Sequence, residues 1–73
     1  MAKTLVRNNI RKLRFANKEM TQQQLAEIVG VTRQTIVAIE KEKYSPSLEA
    51  AFKIAAALGE NFDAVFSYDA KTE

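Results

Sequence analysis

The chain has 73 residues, a formal net charge of +2 and 47% hydrophobic residues, with neither Cys nor His. That length suits one small domain of modest core, whose stability gains from any association that covers apolar surface. The missing residue types exclude a disulfide framework, thiolate metal sites, the usual zinc sets and histidine acid–base chemistry. Apolar runs fall short of membrane-spanning length and the amino end lacks a signal-peptide core, so a cytoplasmic location is expected. Charge is unevenly spread. Residues 1–18 hold Lys3, Arg7, Arg11, Lys12, Arg14 and Lys18 and no acid, whereas acids dominate from Tyr44 onward. Such asymmetry suits one face turned toward an anionic partner, or a solvated basic helix.

Residues 1–6, MAKTLV, are too few for a stable helix. Thr4–Val6 have strand propensity and can pair with Ser67–Asp69; the alternative is two frayed termini. Asn8 or Asn9 can cap a first helix whose inner face takes Ile10, Leu13 and Phe15, with Arg7, Arg11, Lys12 and Lys18 mostly outside. Thr21 caps a second helix, and Gln24 stands at capping-box spacing from it. In that helix, Gln22 to Val29, Leu25, Ile28 and Val29 share a face, and Gly30 supplies the left-handed stop. Thr32 caps a third helix, Arg33 to Lys41, with Ile36 and Ile39 as its buried stripe. Ala26 is small where two helices this close must cross. The set suits a helix-turn-helix over residues 22–41, against the alternative of an ordinary helical hairpin.

After the third helix runs KEKYSP. Ser47 caps a fourth helix beyond Pro46, and Leu48, Ala51, Phe52, Ile54, Ala55 and Leu58 are expected in the core. Gly59 ends it. Asn61 caps a short last helix, Phe62 to Phe66. Ala70–Glu73 form a polar tail.

The exposed side of the third helix bears on function. Arg33, Gln34, Val37, Ala38 and Lys41 lie opposite Ile36 and Ile39. The first turn of a recognition helix is the part that reaches base edges. Arg can bond bidentately to guanine and Gln to adenine, and small apolar groups can sit against thymine methyls. The amino end of the second helix offers backbone amides to phosphate, together with Gln22 and Gln23. Nothing in the sequence looks catalytic: Glu27 and Glu40 are single carboxylates on separate helices, and there is no Gly-rich phosphate loop.

The run TQQQLAEIVGVTRQTIVAIEKEKYSPSLEAAFKIAAALG closely resembles the lambda-repressor-like family of helix-turn-helix regulators, the XRE or Cro type. The match covers residues 7–66. The resemblance implies an all-α, five-helix DNA-binding domain, here a single domain over 1–73, with or without a two-stranded ribbon joining the termini. It implies binding to double-stranded DNA, usually as a homodimer, with no cofactor, metal or membrane partner. Arg33, Gln34, Thr35, Val37 and Ala38 are then the base-reading candidates. Gln22, Gln23, Thr32, Lys41, Lys43, Tyr44 and Ser45 are the phosphate candidates; Tyr44 could equally be a lid on the core. The family often pairs an arginine on the first helix with a glutamate near the end of the recognition helix, here Arg14 and Glu40. The turn over Ala16 to Met20 is slightly longer than the commonest family spacing, which bears on the register of Arg14. Glu42 stands where the family usually has glycine, so a positive φ there would cost of order 1 kcal/mol. It also places an acid near the expected phosphates, with Lys41 and Lys43 to offset it. Phe62, Val65, Phe66 and Tyr68 form an apolar cluster, part of it closing the core and the rest a dimer patch. The expected function is a repressor acting as a homodimer on a palindromic operator. The alternative is a protein-interaction module, such as an antitoxin or a polymerase-contacting adaptor.

Overall fold

The computed structural model describes residues 4–69. The polar tail at 70–73 and the first three residues of MAKTLV lie outside them. In chain order the elements are β1 (Val6–Asn8), α1 (Ile10–Ala16), α2 (Gln22–Val29), α3 (Arg33–Glu40), α4 (Leu48–Leu58), α5 (Phe62–Val65) and β2 (Phe66–Tyr68). Five helices therefore enclose one apolar cluster, and an antiparallel ribbon joins the two ends.

Local chemistry sets most of the boundaries. The Thr21 hydroxyl accepts from the Gln24 amide at 3.0 Å, and the Gln24 side chain accepts from the Thr21 amide at 2.8 Å. This capping box satisfies two donors that open α2. Thr32 and Ser47 cap α3 and α4 in the same way, through the Thr35 and Ala50 amides. Gly30 and Gly59 close α2 and α4 in left-handed geometry, at φ 87° and 70°. α1 starts differently: Asn9 occupies the cap position without a side-chain cap bond, its side chain donating instead to the Ala64 carbonyl at 3.2 Å, and the Asn8 side chain accepts from the Ile10 amide at 3.1 Å. Asn61 likewise heads α5 without a side-chain cap bond.

Ile10, Leu25, Ala26, Ile36, Ile54 and Val65 are fully enclosed. Ala26 lies inside between α2 and its neighbours, so the inner stripe of α2 is Leu25, Ala26 and Val29. Ile28, expected on that face, is exposed. A similar difference recurs twice. On α1 the inner positions are Ile10 and Arg14, which leaves Phe15 exposed. On α4 they are Ala51, Ile54, Ala55 and Leu58, which leaves Leu48 and Phe52 outside. In each case a helix turns by about one residue to seat a small or anchoring side chain, and the apolar neighbour moves out.

The ribbon starts two residues later than Thr4 and one residue earlier than Ser67. Val6 faces Tyr68, Arg7 faces Ser67 and Asn8 faces Phe66. A further bond from the Asp69 amide to the Leu5 carbonyl, 2.8 Å, extends the pairing. α5 stops at Val65 because Phe66 is already extended, at φ −120° and ψ 146°, and opens β2 with its ring buried.

Among the described residues three other than glycine take positive φ: Lys18, Glu19 and Glu42. The first two form the long α1–α2 turn. Glu42, at φ 62°, turns the chain out of α3. Glu42→Gly is expected to be more stable than Glu42→Ala by about 1 kcal/mol in urea unfolding, because both lose the carboxylate and only alanine keeps the Cβ clash. Equal stabilities would mean that the turn relaxes without cost.

Candidate nucleic-acid interface

α3 is held from three sides, and one carboxylate collects most of the restraint. Arg14 on α1 donates from Nε to Glu40 Oε2 at 2.7 Å and from Nη2 to Glu40 Oε1 at 3.2 Å. Both side chains are about nine-tenths buried. Arg14 Nη1 also donates to the Met20 carbonyl at 2.7 Å. That bond ties the long turn to α1 and fixes the register of Arg14 despite the extra length. Gln22, in the first turn of α2, donates to Glu40 Oε1 at 3.1 Å. Planar two-point geometry of this kind suits arginine and not lysine. At the same end of α3, the Asn8 side chain donates to the Ile39 carbonyl at 2.8 Å. That carbonyl also accepts from the Glu42 amide at 2.9 Å, so the strand and the turn after α3 share it.

With Ile36 and Ile39 turned inward, the opposite side of α3 is presented outward. Arg33 and Gln34 are exposed in its first turn and Lys41 at its last. Val37 and Ala38 are half-buried, not fully outward as expected. Thr35 is half-buried, and its hydroxyl lies 2.9 Å from that of Thr32, within the helix cap. Both threonines therefore hold the start of α3 as well as lying near its surface. Gln23 is exposed and donates to Glu27 one turn on, at 3.0 Å. Lys43, Tyr44 and Ser45 are exposed on the segment after α3. The open ring of Tyr44 sets aside its reading as a lid on the core.

Between α1, the start of α2 and the end of α3 lies a cleft of about 410 Å³, lined by Arg11, Arg14, Phe15, Gln22, Val37, Glu40 and Lys41. Phe15 stands 5.9 Å from each of the Arg11 and Arg14 guanidinium carbons. Cations over an aromatic ring at this distance are weakly attracted to it. Sequence reasoning placed Phe15 in the core and so missed its position on the basic face. The signal available was Arg14 itself: an arginine seated inward on α1 turns the next residue out.

The expected dimer cluster divides. Val65 and Phe66 are buried in the core and present no surface to a partner, a correction forced by the one-turn length of α5. Phe62 is half-buried, stacked 4.8 Å from Phe52 and 5.3 Å from Phe66. Tyr68 is 65% exposed, and Leu48 (68%) and Phe52 (53%) are open too. Leu48, Phe62 and Tyr68 border a groove of about 420 Å³ on the side of α4 and the ribbon.

Sequence and structure comparisons agree with this arrangement. A helix-turn-helix family model matches residues 10–65, which include every helix. The chain belongs to the XRE-type helix-turn-helix family of transcriptional regulators. It is 50% identical over 68 residues to an uncharacterized HTH-type transcriptional regulator of Methanothermobacter thermautotrophicus, covering 92% of this chain and 91% of that one. A regulator described in the same terms from Bacillus subtilis is 46% identical over 61 residues, covering 84% and 91%. Among solved structures, the restriction-modification controller protein C.AhdI from Aeromonas hydrophila superposes with a TM-score of 0.69 at 31% identity, covering 75% of this chain and 82% of that chain. A Bacteroides fragilis protein described as DNA-binding gives 0.74 at 29% identity, covering 85% and 98%. The family is one of DNA-binding regulators and not of enzymes. Among the described residues no helix is long and apolar enough to cross a membrane.

Proposed function

We propose that this regulator binds a palindromic operator as a homodimer and represses transcription there. α3 lies in the major groove in this reading. Arg33 and Gln34 read base edges, and Thr35, Val37 and Ala38 add hydroxyl or methyl contacts at closer range to the protein surface. The first turn of α3, capped by Thr32 and exposed, with no side-chain hydrogen bond or ion pair for Arg33 or Gln34 among the described residues, is the observation that supports it most.

Phosphates are held around the groove. Gln22 uses one amide hydrogen on Glu40 and has a second to offer to a phosphate. Gln23 and Thr32 flank helix starts, where backbone amides favour anions. Lys41, Lys43, Tyr44 and Ser45 hold the strand on the other side of α3. The cleft beside Phe15 adds Arg11, which gives the basic amino-terminal segment its role.

Leu48, Phe52, Phe62 and Tyr68 form the patch that supports dimerisation, since open apolar side chains on so small a protein gain from burial against a second copy. Repression is favoured because such a body sits on DNA and obstructs polymerase. The setting is the cytoplasm, where the operator is.

Selection of bound duplexes from a random pool tests this reading. The expected product is an inverted repeat whose half-site centres lie about 34 Å apart, one helical turn. A single unrepeated half-site would overturn the homodimer. No enrichment at low ionic strength would overturn DNA recognition altogether.

A further inference from the structure

We infer that Arg7 is a positioning residue for DNA binding, which masks the Glu42 carboxylate so that a phosphate can approach the segment following α3. The inference rests on the DNA-binding reading above.

Glu42 is out of place by charge. It lies two residues past Glu40, the last residue of α3, and precedes Lys43, Tyr44 and Ser45, the exposed phosphate candidates. A bare carboxylate beside them would repel a phosphate held by those residues, because like charges closer than about 8 Å are little screened at physiological ionic strength. Its backbone is also strained, at φ 62°.

The ribbon answers this charge. Arg7 on β1 brings Nη1 to 3.3 Å from Glu42 Oε1 and Nη2 to 3.2 Å from Asp69 Oδ2. Nη1 also donates to the Thr4 carbonyl at 2.9 Å. The Thr4 amide in turn donates to the Glu42 carbonyl at 3.1 Å. The neighbouring Asn8 holds the Ile39 carbonyl. Residues 4–8 therefore grip the end of α3 and the turn after it at both backbone and side chain. Arg7 is the member of that grip whose charge opposes Glu42. Lys41 and Lys43 were the residues expected to offset Glu42, but both side chains are exposed and no ion pair joins either to it among those found for the described residues.

A double-mutant cycle on the full chain tests this, using a mixed-sequence DNA duplex at low ionic strength. Arg7→Met is expected to weaken binding about three- to tenfold, the scale of one unopposed charge at a phosphate contact. In the Glu42→Gln background the same change is expected to cost less than about twofold, because nothing remains to be masked. Arg7→Lys, which keeps the charge, is expected to restore binding to near wild type. An equal loss in both backgrounds would overturn the inference, making Arg7 either a direct phosphate contact or only an anchor of the ribbon. Thermal melts of all variants check that each is folded at the binding temperature. Absence of binding by the wild type would overturn the inference together with the DNA-binding reading. Binding by the wild type with no rescue by Glu42→Gln would overturn the inference alone.

Discussion

Replacing Arg14 with methionine is expected to remove about 3–5 kcal/mol of stability, the usual cost of leaving one member of a buried ion pair without the other. Among the described residues Glu40 would retain only the Gln22 amide as a partner, in a site where its side chain is 8% exposed. Met20 would lose the donor to its carbonyl at the same time. For a chain of this size such a loss lowers the melting temperature by more than about 12 °C. Changing both members to apolar residues, Arg14→Met with Glu40→Leu, is expected to recover much of the loss, because the desolvation cost disappears with the charges. The comparison separates stability from function. The double variant should fold, yet Gln22 and the end of α3 would no longer be tied together. Its affinity for operator DNA should therefore fall more than its stability does. A single-variant loss below about 1 kcal/mol would mean that the pair behaves as a surface contact.

Ile36→Ala is expected to cost about 2–5 kcal/mol, the range for removing three carbons from an enclosed aliphatic side chain. Ile36 is fully buried on the inner side of α3, which packs against α2. The urea midpoint should move to lower concentration while the slope stays the same, since the unfolded surface is little altered. Gln34→Ala, two residues earlier on the outer side, should stay within about 0.5 kcal/mol of wild type in the same measurement. This contrast within one turn of one helix expresses the division of labour in α3. A comparable stability loss from both changes would mean that the outer side is packed and not presented.

Much of this was readable before any coordinates. Thr21, Gln24, Gly30, Thr32, Ser47 and Gly59 act on amides or dihedrals within a few residues, so each announces a helix boundary locally. α2 and α4 accordingly begin and end where those residues place them, and Glu42 takes the positive φ that its position in the pattern required. What was not readable is rotation. A repeat of i, i+3, i+4 leaves about one residue of freedom in which side of a helix faces in, and only the neighbouring helices resolve it. Ala26, Arg14 and Ala51 were seated inward, so Ile28, Phe15 and Phe52 went out. The ribbon was misplaced for a related reason. Strand propensity at Thr4–Val6 is real, but the pairing is pinned by Asn8 at the end of α3 and by the buried ring of Phe66, both set by residues far away in sequence. The apolar run Phe62, Val65, Phe66 and Tyr68 announces both core and surface, and the structure assigns Val65 and Phe66 to the core.

At the candidate interface the same distinction holds. Ile36 and Ile39 mark the inner side of α3 in the sequence, and both are buried in the structure. The depth at which Val37, Ala38 and Thr35 sit, and the second attachment of Gln22 to Glu40, depend on how α1 and α2 approach. So does the role of Arg7, which looked like one more basic residue near the amino end until β1 brought it to Glu42.

The most direct test of the account is an affinity profile of Gln34→Ala on the selected duplex and its single-base-pair variants. The account predicts that discrimination collapses by about 1–3 kcal/mol at one base pair of each half-site and persists elsewhere. A uniform loss across every variant, or no change at any of them, would contradict it.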